Sequence, residues 1–176
     1  MLLDITPEGL RIQIVDAQNR PMFDLSGTQL KPYARELLLE VGKYLATVPN
    51  SVTISGHTDE TPFAGGGQNY TNWELSADRA NTARRTFKAA GLPDEKFARI
   101  IGMSSYVLLD EKNPRNPMNR RISVVVMTKQ AEEAMRKTDN FENSARRPAA
   151  PPSATPAAVS PGAGPGTNPA PPSPQQ

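Results

Sequence analysis

A two-layer α/β (α+β) sandwich is the fold class that this 176-residue chain predicts. Three observations carry it. Short apolar runs with a two-residue period alternate with longer runs at helical spacing. Most runs are closed by Gly, Pro or Asn, the residues that end strands and helices. About 140 residues precede a proline-rich end, enough chain for one hydrophobic core.

Leu10, Ile12 and Ile14 alternate with Arg11 and Gln13, the signature of a half-buried first strand. Residues 16–31 contain Pro21 and Gly27 and read as a loop. Ala34, Leu37, Leu38, Val41, Leu45 and Val48 then recur at helical spacing behind Pro32, whose fixed φ suits a first turn. Pro49-Asn50 stops that helix, and Val52 and Ile54 mark a second strand ending at Gly56. Residues 60–70, with Gly65-Gly66-Gly67, read as a loop. Thr71-x-x-Glu74 has the form of a capping box, and Ser76 is a second candidate cap. The helix behind them carries Ala80, Ala83, Phe87 and Ala90 on one face and stops at Gly91, with Pro93 beyond. Ala98 to Met103 reads as the third strand, Ser104 to Met118 as a loop, and Ile122, Val124 and Val126 as the fourth strand. Lys129 to Lys137 adds a short helix, so the order is β-α-β-α-β-β.

Composition narrows the function. Cysteine is absent, which excludes a disulfide framework and a thiolate metal site. The net charge of +2 implies no nucleic-acid partner, because phosphate binding needs basic residues concentrated on a face. No run approaches the roughly 20 apolar residues of a membrane span, and no signal-peptide pattern opens the chain. The abrupt start at Met1-Leu2-Leu3-Asp4 reads as a fragment of a longer protein. From Pro148 onward there are ten prolines in 29 residues and no charged side chain, so residues 144–176 are expected to be a disordered tail.

Three polar clusters interrupt this ordinary pattern: Gly56-His57-Thr58-Asp59 after the second strand, Asn72-Trp73-Glu74-Leu75-Ser76 through Asn81 where a helix opens, and Asn119-Arg120-Arg121-Ile122-Ser123 at the fourth strand. Ligands of a βα unit sit beyond the strand's carboxyl end, near the next helix N-terminus. Asp59 and Arg79 therefore face one crevice. Either they pair with each other, or they hold a zwitterion, an ammonium on Asp59 and a carboxylate on the fork of Arg79. Asp59 as a plain turn residue and Arg79 as a solvated helix residue are the duller alternatives. Of Arg120 and Arg121, consecutive on a strand, one at most reaches the crevice.

His57, the only histidine, reads as a structural hydrogen-bonding residue, since with Asp59 it makes only two metal ligands. Ser104, His57 and Asp59 make a catalytic triad on paper, without a nucleophile-elbow motif. Trp73 reads as a buried anchor for the helix entry, with a sugar-stacking surface as the alternative.

The ordered set Gly-His-Thr-Asp, Asn-Trp-Glu-Leu-Ser-x-x-Arg-Ala-Asn and Asn-Arg-Arg-Ile resembles the OmpA-like peptidoglycan-binding domain, over residues 8–136. Its wording is most similar to the MotB-like branch, the cell-wall-anchoring stator subunits of flagellar motors. Thr61-Pro62, the extended 60–70 loop and the helix after Met127 support that branch over the Pal/OmpA-type outer-membrane tethers. The resemblance implies a mixed four-stranded sheet and a non-catalytic peptidoglycan-binding module, with no cofactor and no metal. It carries diaminopimelate contact onto Asp59 and Arg79, and extends the pocket to Thr58, Asn119, Arg120 and Arg121. It further implies a periplasmic homodimer in an inner-membrane protein, with a MotA-like ion-channel partner reached through a transmembrane helix upstream of Met1. A cell-wall hydrolase is the rival class. Residues 1–31, the part nearest the membrane in such a protein, are expected to be less stable than the core and able to detach.

Limited proteolysis tests the boundary. It should leave a stable core ending between about residues 135 and 148, and retention of residues 150–176 in that core contradicts it.

Overall fold

The computed structural model describes residues 1–17, 20–24, 26–63 and 69–145, with side chains as far as residue 138. The glycine run at 65–67 and the proline-rich stretch beyond 145 lie outside the described residues. The strands are β1 (Leu2–Thr6), β2 (Gly9–Val15), β3 (Val52–His57), β4 (Phe97–Gly102) and β5 (Arg121–Met127). The helices are α1 (Pro32–Thr47), α2 (Asn72–Ala89) and α3 (Lys129–Ala145). The sheet order is β1-β2-β5-β3-β4, with only the β3–β4 pair parallel.

The sheet thus has five strands, not four. The extra one is β1, whose Leu3 and Ile5 are 60% and 89% exposed, so burial gave it no alternating pattern. It is held instead by its backbone ladder to β2 and by the Asp4–Arg11 ion pair across it. Residues 1–31, expected to be less stable than the core, contain both β1 and β2. β2 lies between β1 and β5, and Ile14, Met22 and Phe23 belong to the core, which leaves β1 as the peripheral part. Helix α3 runs eight residues past the expected Lys137, as far as Ala145.

Alternation along the strands builds the core. Val52, Ile54, Ile122 and Val124 are all fully buried and pack with Leu38 of α1 and Phe87 of α2. Thr71 caps α2 as the sequence predicts, its hydroxyl accepting from Trp73 N while the Glu74 carboxylate accepts from Thr71 N at 2.7 Å. Ser76 is no cap; it is buried inside the first turns. At the other end Gly91 takes φ +101°, and the N–H groups of Gly91 and Leu92 bond Lys88 O and Phe87 O, a Schellman ending. The C-terminus of α1 is satisfied from outside. The Lys96 ammonium donates to the carbonyls of Leu45, Ala46 and Val48, which the helix leaves open.

Two glycines decide how closely α2 lies on the sheet. A Cβ on Gly56 would overlap the Ser76 carbonyl oxygen, and one on Gly102 would fall 2.7 Å from Ala77 N. Both strands therefore meet the first turns of α2 backbone to backbone. Gly56→Ala should cost about 2 kcal/mol or more by forcing helix and strand apart. Gly91→Ala, where φ alone is adverse and no atom lies within 4 Å, should cost about 1 kcal/mol. Urea midpoints rank the two, and the reverse ranking contradicts this account.

Candidate functional site

Strand direction assembles the site. β2 and β3 both run antiparallel to β5 and flank it, ending opposite its first residue: Val15 and His57 each pair with Arg121. Arg120, one residue earlier, therefore sits between the segments that leave β2 and β3. Asp16 reaches it from one side and Asp59 from the other. Arg120 Nε donates to Asp16 Oδ2 at 2.9 Å and Nη1 to Asp59 Oδ2 at 2.7 Å. The Asp16 carboxylate also accepts from Met22 N, and Asp59 Oδ1 accepts from Thr61 N at 3.0 Å. Burial opposes the charge on Arg120, but its two carboxylates outweigh that and raise its pKa. Burial pushes the Asp16 carboxyl up, against the pull of the Met22 N–H and of Arg120.

These groups open onto a cavity of about 310 Å³ lined among others by Asp16, Phe23, Thr58, Asp59, Arg79 and Arg120. Asp59 and Arg79 do share a crevice, but they do not pair with each other. Arg79 Nε donates to Gly27 O at 3.0 Å, and its guanidinium lies 4.8 Å from the Phe23 ring centroid. Its Nη2 reaches Asp24 O at 3.5 Å. The loop ahead of α1 thus orients the fork, whose Nη1 has no hydrogen-bond partner among the described residues. Arg79 and Asp59 are each only 5% exposed, so neither is the surface residue that its polarity suggests. Burial lowers the pKa of Arg79, an effect the nearby Asp16 opposes. The Thr58 hydroxyl is buried on the cavity wall and has no hydrogen-bond partner among the described residues.

The remaining candidates lie elsewhere. Asn119 is fully buried and braces the preceding loop, accepting from Leu109 N and Asp110 N and donating to Asp110 O, Asn113 O and Pro114 O. Arg121 points to the sheet face away from α1 and α2, where it donates to Gln13 Oε1, Asn119 O and Val107 O. Burial, then the charge of Arg11, lowers its pKa to about 10. Neither residue lines the cavity. His57 shares that far face with Arg121, its strand partner, and is 6% exposed. Burial and the Arg121 charge lower its pKa to about 3, so the ring is neutral. Its Nδ1 has no hydrogen-bond partner among the described residues.

Trp73 is not a buried anchor. It is 52% exposed: it is the second residue of α2 and stands ahead of that helix's first buried residue, Leu75. With Pro62, Phe63, Tyr70, Thr71, Asn72 and Ser104 it lines a second hollow beside the cavity. Among the described residues no group of three or more His, Asp or Glu could hold a metal ion. None of the described helices is long and apolar enough to cross a membrane. Sequence reading passed over Asp16 and the loop carbonyls of Asp24 and Gly27. An acid directly after β2, matching the acid after β3, was the available signal for Asp16; nothing local marks a carbonyl.

The OmpA family model matches residues 22–147. Motility protein B of Escherichia coli (strain K12) is 47% identical over 133 residues, which are 76% of this chain and 43% of that protein. The putative flagellar export/assembly protein LafU of Escherichia coli O44:H18 is 40% identical over the same shares. The chain therefore spans less than half the length of these curated relatives. Among solved structures, the periplasmic domain of Helicobacter pylori MotB superposes with a TM-score of 0.63 at 15% identity, over 84% of this chain and all of that one. The cell wall anchor of the T6SS from Pseudomonas aeruginosa gives 0.59 at 21% identity, over 73% of this chain and 87% of that one. At such identities the superpositions show the fold.

The neutral His57 makes a pH test. Its pKa near 3 when folded lies below the ordinary 6.5, so the unfolded chain binds the proton more tightly. This contribution to stability is complete above pH 6.5 and is lost as the pH falls toward about 3. By pH 5 the loss should be about 2 kcal/mol. Chemical denaturation at pH 7, 6 and 5 measures it. A His57→Asn variant should remove the slope, and an equal slope in both proteins rules His57 out as its source.

Proposed function

The chain belongs to the OmpA family, and from that premise we propose that it is a non-catalytic module that anchors its parent protein to peptidoglycan. The observation that carries the reading is the cavity, which sets the Asp59 carboxylate and the Arg79 guanidinium on one wall system without pairing them to each other. Opposite charges held apart suit the two ends of a free α-amino acid. We assign the ammonium to Asp59 and the carboxylate to the unused N–H groups of Arg79, with the unpartnered Thr58 hydroxyl as a further contact. The diaminopimelate residue of the stem peptide offers such an end. Arg120 then positions Asp59 and does not need to touch the ligand.

The geometry argues for holding over turnover. His57 lies on the opposite face of the sheet from Asp59, which separates the two residues that a hydrolase built on His57 and Asp59 would have to bring together. Two or three charge-assisted hydrogen bonds at about 1.5–3 kcal/mol each, less the cost of association, leave weak binding per site. Firm anchoring follows when two copies engage one polymer, which fits a homodimer. The identity to motility protein B extends the proposal to a periplasmic part of an inner-membrane stator, partnered by a MotA-like channel subunit.

Sedimentation with purified peptidoglycan tests the site. Asp59→Asn and Arg79→Lys, which keeps the charge but loses the fork, should each lower the bound fraction at least about tenfold. Because both residues are buried, each variant needs its folding checked by circular dichroism. Folded variants that sediment like the unaltered protein overturn the assignment.

A further inference from the structure

The second hollow has a composition that the stem-peptide reading does not use. Its lining includes three aromatic rings: Phe63, Tyr70 and Trp73. Phe63 and Tyr70 meet with centroids 4.9 Å apart at 51°, and the Tyr70 hydroxyl donates to Asp78 Oδ2 at 2.7 Å, so these two rings are fixed against each other and against α2. The main chain of Trp73 is held as well. Its N–H donates to the Thr71 hydroxyl, and its carbonyl accepts from Ser76 Oγ, which in turn accepts from Ser104 N.

Among the described residues no hydrogen bond or ring pair involves the indole. The capping of α2 is complete without it, and more than half of its surface is in water. A half-exposed indole beside two other rings offers an apolar surface to solvent. The rim is polar, with Thr71, Asn72 and Ser104. An apolar floor with hydroxyl and amide groups at its edge complements a pyranose, which has one or two faces of C–H bonds and a rim of hydroxyls.

The hollow's position selects the occupant. Pro62, Phe63 and Asn72 line both it and the charged cavity. Asn72 stands at the junction, its amide donating to Thr61 O at 2.9 Å and so tying the chain just after Asp59 to the start of α2. The two hollows adjoin there, so a ligand seated on Asp59 and Arg79 can continue from the cavity onto the aromatic floor. Resting on the peptidoglycan reading above, we propose that Trp73, with Tyr70 and Phe63, forms a saccharide subsite that takes a pyranose of the glycan strand whose stem peptide fills the cavity.

Trp73 is the only tryptophan in the chain, so its fluorescence reports on this subsite alone. The probes are a disaccharide-peptide and the free peptide of the same sequence, both purified from peptidoglycan containing diaminopimelate. The disaccharide-peptide should shift the Trp73 emission and bind more tightly than the free peptide. Trp73→Ala should weaken the disaccharide-peptide by about threefold to tenfold, the range expected of one aromatic contact, and leave the free peptide unchanged. Equal affinity of the unaltered protein for both ligands overturns the subsite while leaving the peptide site standing. So does an equal loss for both ligands in Trp73→Ala. Failure of both ligands to bind the unaltered protein overturns the peptidoglycan reading, and this subsite with it.

Discussion

The close approach of α2 to the parallel pair β3–β4 is the constraint on which the rest of the structure depends. Gly56 and Gly102 give the helix backbone a place to lie, and a side chain at either position meets helix main-chain atoms. That contact fixes the start of α2 over the carboxyl ends of both strands. Ser76 completes it, accepting from Ser104 N just beyond β4. The cavity follows directly, because Asp59 lies three residues past Gly56 and Arg79 three residues past Ser76. Two groups on different elements are thereby set by backbone packing instead of by their attraction for each other.

A second consequence comes from the strand order. Because β5 is flanked by β2 and β3, the residue ahead of it meets an acid from either side. Arg120 bridges Asp16 and Asp59, and Arg79 adds a second guanidinium to the same cavity. The nearly buried Asp16 carboxylate is compensated by Arg120 and the Met22 N–H, as a buried charge must be. The same arrangement ties the loop after β2 to the floor of the site. Arg79 ties it again through Gly27 and Asp24. The N-terminal part of the chain is thus joined to Arg120 and Arg79, while its β1 remains at the margin.

The two sheet faces divide the polar residues by role. On the face beneath α1 and α2, Thr58, Asp59 and Arg120 continue from strand ends into the cavity. On the opposite face His57, Arg121 and Gln13 are buried together and make structural contacts. Adjacent residues in the sequence therefore serve different purposes: His57 beside Thr58, and Arg121 beside Arg120. The two-residue period of a strand is the whole cause.

By itself the sequence determined the elements and their ends, since these rest on local physics. Period-2 and helical spacing placed four strands and the first two helices, and the Thr71–Glu74 box and Gly91 bounded α2 where they were expected to. The order of three polar clusters pointed to the family. Only the tertiary structure decided which of those polar residues share a cavity. Arg120 and Arg121 differ by one position in sequence and by a sheet face in space, and no local pattern states the phase. Asp16 joins Arg120 across 104 residues, through a strand order that single-strand periodicity does not encode. Trp73 read as a buried anchor because large aromatics usually are. Its exposure follows from its place in the first turn of α2, ahead of the helix's first buried residue, Leu75, and local spacing does not state where along a helix packing begins. β1 went unread for the related reason that an edge strand held by main-chain bonds needs no buried side chain to announce it.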